Sequence, residues 1–331
     1  MAVLVTGAAG FIGYHAARAL LERGEAVVGV DCLTDYYDVA LKQARLAELG
    51  RFKGFRFERL DLADAAAVRA LVLSVRPRKI LHLAAQAGVR YSLENPFAYT
   101  HSNISGHLSV LEAARALDGE LDHLVYASSS SVYGERPAER GFSEDDAVDA
   151  PVSLYAATKR ADELMSGTYA HLYGLPLTGL RFFTVYGPWG RPDMAYFSFA
   201  EKMIAGQTLK LFNHGRNLRD FTFIGDIIPH LLALVDDRPG PGNRVFNIGG
   251  SSPVDTLALV SALEAALGIE ARTEKIDAQP GDVSATWADT SRLEAAYGAA
   301  PHTALQDGIG AFARWFRGWK GLDAPRAAGQ Q

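Results

Sequence analysis

Apolar and polar positions alternate along the first half of the chain in a repeating way. Short apolar runs (Val3-Leu4-Val5, Ala26-Val27-Val28-Gly29-Val30, residues 55–60, Lys79-Ile80-Leu81-His82-Leu83, Leu124-Val125-Tyr126-Ala127 and residues 178–183) are separated by longer stretches with helical spacing. Runs of this length read as buried strands, and the longer stretches as amphipathic helices over residues 11–23, about 39–49, from Asp64 onward, about 99–117 and 154–173. Strands alternating with helices predict an α/β fold with a doubly wound parallel sheet. The alternation breaks in residues 189–220, rich in Gly, Pro, Arg and aromatics. A helix over 226–235 and a strand over 245–248 then look like a return to the sheet. Helices near 257–267 and 309–319 suggest a smaller C-terminal lobe.

Composition narrows the picture. With 331 residues, 48% hydrophobic content and 21% charged residues, the chain has the makeup of a soluble globular enzyme. Its net charge of -5 offers no basic footprint for nucleic acid, and no apolar run approaches a membrane span. The first apolar stretch is interrupted at Thr6-Gly7, too early for a signal peptide. The one cysteine, Cys32, excludes an internal disulfide and fits a reducing, cytoplasmic setting. The nine histidines form no metal-binding motif, so no metal site is expected.

Candidate chemistry begins at Val3-Leu4-Val5-Thr6-Gly7-Ala8-Ala9-Gly10-Phe11-Ile12-Gly13: a strand, three glycines at G-x-x-G-x-x-G spacing, and a helix. Glycine there permits unusual dihedrals and lets a pyrophosphate approach the amides at a helix N-terminus. A glycine-rich turn of any α/β protein would look the same. The next strand, however, ends in Asp31, where a dinucleotide fold sets a carboxylate against the adenosine ribose. That carboxylate would repel a 2′-phosphate, which predicts NAD rather than NADP.

Asp61-Leu62 ends the third strand, where the carboxylate faces the adenine or caps the following helix. After Leu83, the stretch Ala84-Ala85-Gln86-Ala87-Gly88 offers small side chains to a flat ring, or marks a tight turn. Arg90 is a phosphate partner or a surface charge. Ser128-Ser129-Ser130-Ser131 stands at the carboxyl end of the fifth strand, where open sheets bind ligands, though serine is also common in turns. Tyr155 and Lys159, at i and i+4 of one helix, share a face.

Together these features make a constellation that no single motif justifies. The marks are residues 6–13, 128–134, Tyr155-Ala156-Ala157-Thr158-Lys159, Arg219-Asp220-Phe221-Thr222 and Pro280-Gly281-Asp282. On them the chain resembles, over nearly its whole length, the extended short-chain dehydrogenase/reductase family and its nucleotide-sugar epimerases. The resemblance implies a Rossmann domain for NAD over 1–186 with 222–250, a nucleotide-sugar domain over 187–221 with 251–323, and a tail over 324–331. It implies cofactor contacts from Gly7, Gly10, Phe11, Ile12, Gly13, Asp31, Asp61, Leu62, Leu83, Ala84, Ala85, Tyr155 and Lys159.

In such enzymes the tyrosine takes a proton from a sugar hydroxyl while a hydride passes to NAD, and the ketone turns over and receives the hydride on its other face. Tyr155 is then the base, Lys159 the charge that favours its phenolate, and Ser129 the donor to the developing ketone. Related dehydratases and decarboxylases carry an acidic residue within the stretch that here reads Ser129-Ser130-Ser131-Val132, so inversion is favoured. Arg219 matches the family's pyrophosphate arginine and Asp282 its ribose carboxylate. Gln279 stands where many relatives have arginine, leaving Arg191 and Arg90 as candidates for the missing phosphate contact, and Leu211 lies in the segment that edges the uracil.

Asp35-Tyr36-Tyr37-Asp38, residues 87–92, residues 182–194 and Asn213-His214-Gly215 look like the UDP-glucuronate 4-epimerase branch. Ser130, Ser131 and Thr184 would there hold the sugar carboxylate. The alternatives are a UDP-glucose/galactose 4-epimerase and, less so, a non-catalytic NAD-binding protein. A homodimer through the helices around 103–117 and 154–173 is also implied.

Overall fold

The computed structural model describes residues 2–136, 139–277 and 285–322. Its strands are β1 (Val3–Thr6), β2 (Val27–Asp31), β3 (Phe55–Arg59), β4 (Lys79–His82), β5 (His123–Ser129), β6 (Pro176–Phe182), β7 (Thr184–Tyr186), β8 (Leu209–Leu211), β9 (Leu218–Phe223), β10 (Gly242–Ile248), β11 (Pro253–Asp255), β12 (Thr273–Lys275) and β13 (Ala285–Thr286). Seven of them form one parallel sheet in the order β10-β6-β5-β4-β1-β2-β3. The chain winds outward from β1 to β3 and then returns to β4 on the other side of β1. The doubly wound prediction holds, and its switch point lies between β1 and β4, where such sheets open a crevice.

Strands this apolar need cover on both faces. On one face, Phe11, Leu20, Leu49, Ile227 and Leu231 from three helices pack against Val3, Val5, Leu81 and Val125. On the other, Val68, Val72, Val110, Leu111 and Ala170 pack against Leu4, Ile80 and Leu124. Beyond the main sheet, β9 pairs with β7, β11 and β13, and β8 pairs with β12. Helices Ala195–Ile204, Thr256–Leu267 and Leu305–Trp319 close a separate core around Phe197, Leu263, Phe312 and Phe316.

Two elements differ from expectation. In place of the single helix over 99–117 stand the end of a short turn Pro96–Tyr99, a wide π-type segment Thr100–Ser105 and the helix Gly106–Arg115, and the loop before them holds a further short turn, Tyr91–Glu94. The wide segment carries the buried Asn103, whose side chain bonds two other elements. The strand over 178–183 stops at Phe182, and Thr184–Tyr186 turns away to pair with β9.

Candidate active site

At the carboxyl end of β1 the backbone does what the glycines were expected to allow. Gly7 has φ +71°, and a Cβ on it would sit 2.8 Å from the Ala84 nitrogen on the loop after β4. A Cβ on Gly13 would lie 2.0 Å from the Gly7 carbonyl oxygen. The turn thus brings two loops into backbone contact at the switch point and leaves a cradle that side chains would fill. Thr6 Oγ1 bonds His82 Nδ1 at 2.7 Å and accepts from the Ala84 amide at 3.2 Å, fixing the same junction. Asp31 accepts from the Ala9 amide at 3.2 Å and the Leu33 amide at 2.8 Å. Asp64 caps the helix Ala65–Val75 through the Ala67 amide, whereas Asp61 pairs with His101 at 2.8 Å.

A cleft of about 1450 Å³ runs from this turn across the strand ends. Its volume exceeds the roughly 300–1000 Å³ of a pocket for one small ligand, so it has room for two. Gly7, Gly10, Phe11, Ile12, Gly13, Asp31, Asp61, Leu62, Leu83, Ala84 and Ala85 line it. Ser129, Ser130, Ser131, Tyr155 and Lys159 also line it, as do Arg90, Thr184, Arg191, Leu211 and Arg219. Asp282 and Gln279 lie outside the described residues.

The helix Leu154–Tyr173 begins at Ser153, whose hydroxyl accepts from the Ala156 amide at 3.1 Å. That cap fixes the first turn and with it Tyr155, half-buried and edge-on to Tyr99 with ring centroids 6.0 Å apart. Lys159 is buried, and its ammonium donates to Asp162 Oδ2 at 2.7 Å. Ser129 Oγ accepts from the Ser131 amide at 3.2 Å and the Ser131 hydroxyl at 2.9 Å, which leaves the Ser129 hydrogen to donate into the cleft. Ser128 turns away and donates to Glu163 at 2.7 Å.

Elsewhere in the cleft Arg191 forms a two-point pair with Asp193, at 3.0 and 2.5 Å, and the Tyr36 hydroxyl donates to the same carboxylate at 3.1 Å. Burial alone would raise the Asp193 carboxyl; the Arg191 guanidinium and the Tyr36 hydroxyl outweigh it and hold the group below its usual range. The Arg90 guanidinium lies 5.0 Å above the Phe212 ring, and Arg219 donates to the Leu218 carbonyl at 2.8 Å.

Residues 3–249 match the model of the NAD dependent epimerase/dehydratase family. The chain belongs to this family. Among its relatives is UDP-glucuronate 4-epimerase 4 of Arabidopsis thaliana, 47% identical, with the alignment covering 98% of this chain and 77% of that one. The probable UDP-glucuronate 4-epimerase of Rhizobium meliloti (strain 1021) is 43% identical over 96% of this chain and 97% of its own length. Among solved structures, UDP-glucuronic acid 4-epimerase from Bacillus cereus, crystallised with UDP-glucuronic acid and NAD, superposes with a TM-score of 0.89. It is 34% identical and covers 96% of this chain and 100% of its own.

For this epimerase/dehydratase family member, the sequence reading passed over two residues at the site. Asn103 accepts from the Gln86 amide at 2.8 Å and donates to the Gln86 carbonyl at 3.1 Å and to Thr158 Oγ1 at 2.9 Å. It therefore ties the loop after β4 to the turn of helix between Tyr155 and Lys159. Nothing in the local pattern marks it, because the helical register slips at the π-type segment. Asp162 was foreshadowed only by its spacing, three residues beyond Lys159 on the same helix.

Proposed function

We propose that this protein is a UDP-glucuronate 4-epimerase that inverts C4 of the sugar with NAD held at the glycine turn. One observation carries the reading: Tyr155 and the serine run line the same cleft as the glycine turn, Asp31 and the arginines Arg90, Arg191 and Arg219. The fit to NAD is supported by the cradle around Gly7 and Gly13 that no side chain could enter, by the helix Phe11–Glu22 that opens at Gly10 with no side-chain cap of its own, and by the Asp31 carboxylate at the end of β2. When bound, the nicotinamide supplies a place for a hydride to leave to and return from. We assign residues 1–186 with 222–250 to the cofactor and residues 187–221 with 251–323 to the nucleotide sugar.

Tyr155 Oη takes the proton of the sugar 4-hydroxyl and later gives it back, while Ser129 donates to the developing ketone oxygen. Lys159 supplies positive charge at the same face of the helix. Arg219, with Arg191 or Arg90, carries the diphosphate, and Leu211 borders the base. Ser130, Ser131 and Thr184 hold the sugar carboxylate. That contact has a chemical purpose: a 4-keto glucuronate is a β-keto acid, which loses carbon dioxide when the C5–C6 bond aligns with the carbonyl π system. The Ser129–Val132 stretch has no carboxylate to drive elimination, and Glu163 behind Ser128 is committed to Arg181.

Exposed Leu108, Leu164 and Leu172 support a homodimer through the helices around 103–117 and 154–173. The single cysteine suits a cytoplasmic setting. Among the described residues no helix is long and apolar enough to cross a membrane. Feeding UDP-glucuronate and UDP-glucose separately, with products read by NMR, tests the substrate. The reading requires UDP-galacturonate to form without added oxidant, and abundant UDP-pentose or equal use of UDP-glucose would overturn it. Tyr155→Phe should lower turnover by far more than about tenfold.

A further inference from the structure

Arg45 has 0% exposure and sits on the helix Val39–Leu49, between the buried Leu41 and Leu49. A guanidinium has five N–H donors, and here every one is used on a neutral oxygen. Nη1 donates to the Ala9 carbonyl at 2.8 Å and to the Tyr37 hydroxyl at 2.8 Å. Nη2 donates to the carbonyls of Trp189 at 2.6 Å and Gly190 at 3.0 Å, and Nε reaches Trp189 again at 3.1 Å.

The four partners belong to three separate segments of the chain. Ala9 is inside the glycine turn, next to Gly10. Tyr37 is on the loop after β2, whose neighbour Tyr36 reaches Asp193. Trp189 and Gly190 directly precede Arg191. Trp189 has φ +62°, unusual for a bulky residue, and a Cβ at position 190 would fall 1.6 Å from Tyr196 Oη. Arg45 thus holds a strained turn in place by its carbonyls and the cofactor turn by another.

We propose that Arg45 is a positioning residue that couples two parts of the cleft, so that a dinucleotide in the glycine turn tightens the Arg191 loop on a nucleoside diphosphate, and the reverse. The inference rests on the reading that the turn takes NAD and that Arg191 faces the UDP moiety. A planar fork with five bonds transmits displacement of Ala9 to Trp189, whereas an ammonium, with three donors and no plane, cannot span the same set. Thermodynamic linkage requires the two ligands to enhance each other by the same factor.

Calorimetric titration of UDP into protein stripped of NAD, and into the same protein reloaded, reads the coupling directly. In the wild type, NAD should lower the Kd for UDP by about tenfold, within the usual range of such couplings. In Arg45→Lys and Arg45→Met that ratio should fall below about threefold. Leu234→Ala, a fully buried truncation in the helix Ile224–Asp236, is the control for lost stability: its melting temperature should drop with the ratio intact. A ratio unchanged in both Arg45 variants would make the residue merely structural and overturn the proposal. Should neither variant fold, hydrogen exchange in the wild type decides: NAD must slow exchange across residues 187–193, and no change would overturn the coupling. Wild-type protein that binds both ligands with a ratio of one overturns only this inference. Protein that binds neither overturns the epimerase reading itself.

Discussion

Asp162 and Glu163 are neighbours on the helix Leu154–Tyr173, 1% and 3% exposed, yet they sit in opposite chemical surroundings. Glu163 accepts from Arg181 at two points, 2.8 and 2.9 Å, from Ser128 at 2.7 Å and from Arg160 at 3.0 Å. Burial by itself would raise its carboxyl, but the Arg181 guanidinium and the Ser128 hydroxyl hold it below the usual range. Asp162 has one ammonium on one oxygen, and its Oδ1 is buried without a partner. There burial prevails over Lys159, and the carboxyl is pushed up to about 6. A closed set of bonds belongs to architecture. The half-open one belongs to Lys159, a residue that lines the cleft, and its carboxylate oxygen without a partner among the described residues is the weaker point of the pair.

The largest test of this contrast is Arg181→Met, which leaves the buried carboxylate to Ser128 and Arg160 alone and should cost about 3 kcal/mol in urea unfolding. A loss under about 1 kcal/mol would erase the distinction between the two pairs. Lys159→Met should cost less, roughly 1–2 kcal/mol, since Asp162 can take up a proton instead of remaining charged. Its turnover should nonetheless fall by about a hundredfold or more. Equal stability losses in the two variants would show that the pairs are alike.

Stability against pH sharpens the comparison because the signs oppose. The folded Asp162 carboxyl, at about 6 against a usual 3.8, contributes stability that is complete below 3.8 and lost as pH rises through 6. Asp162→Asn should therefore gain on the wild type between about pH 4 and pH 7. Glu163 contributes stability that is present above its usual 4.5 and lost as pH falls through its depressed folded value. The penalty of Glu163→Gln should then shrink in acid, and parallel slopes for the two variants would refute the contrast. The smallest expected effect is Ser128→Ala, about 1 kcal/mol at neutral pH, because Arg181 and Arg160 remain on the carboxylate.

Much of the cleft could be read from the chain before any coordinates. The strand-turn-helix at 3–13, Asp31 at the end of β2, the serine run at the end of β5 and the Tyr155/Lys159 spacing are short-range patterns, and a parallel sheet brings strand ends together of its own accord. What escaped the reading has the opposite character. Asn103 lay hidden because the helical period slips at the π-type segment. Asp162 is one polar residue among many on an amphipathic helix, and Arg45 one charged residue between Leu41 and Leu49, so neither carries a local mark.

Local chemistry along the chain was enough to dictate the alternating elements, the glycine cradle and the family resemblance, because each depends on residues within a turn or two of one another. Which donor meets which oxygen was left to the packed molecule. Lys159 met Asp162 three positions away, but Arg181 met Glu163 across 18 positions, Asn103 met Thr158 across 55, and Arg45 met Trp189 across 144. Only the packing of the strands and helices puts those groups within hydrogen-bonding distance, and burial then sets how strongly each charge holds its partner.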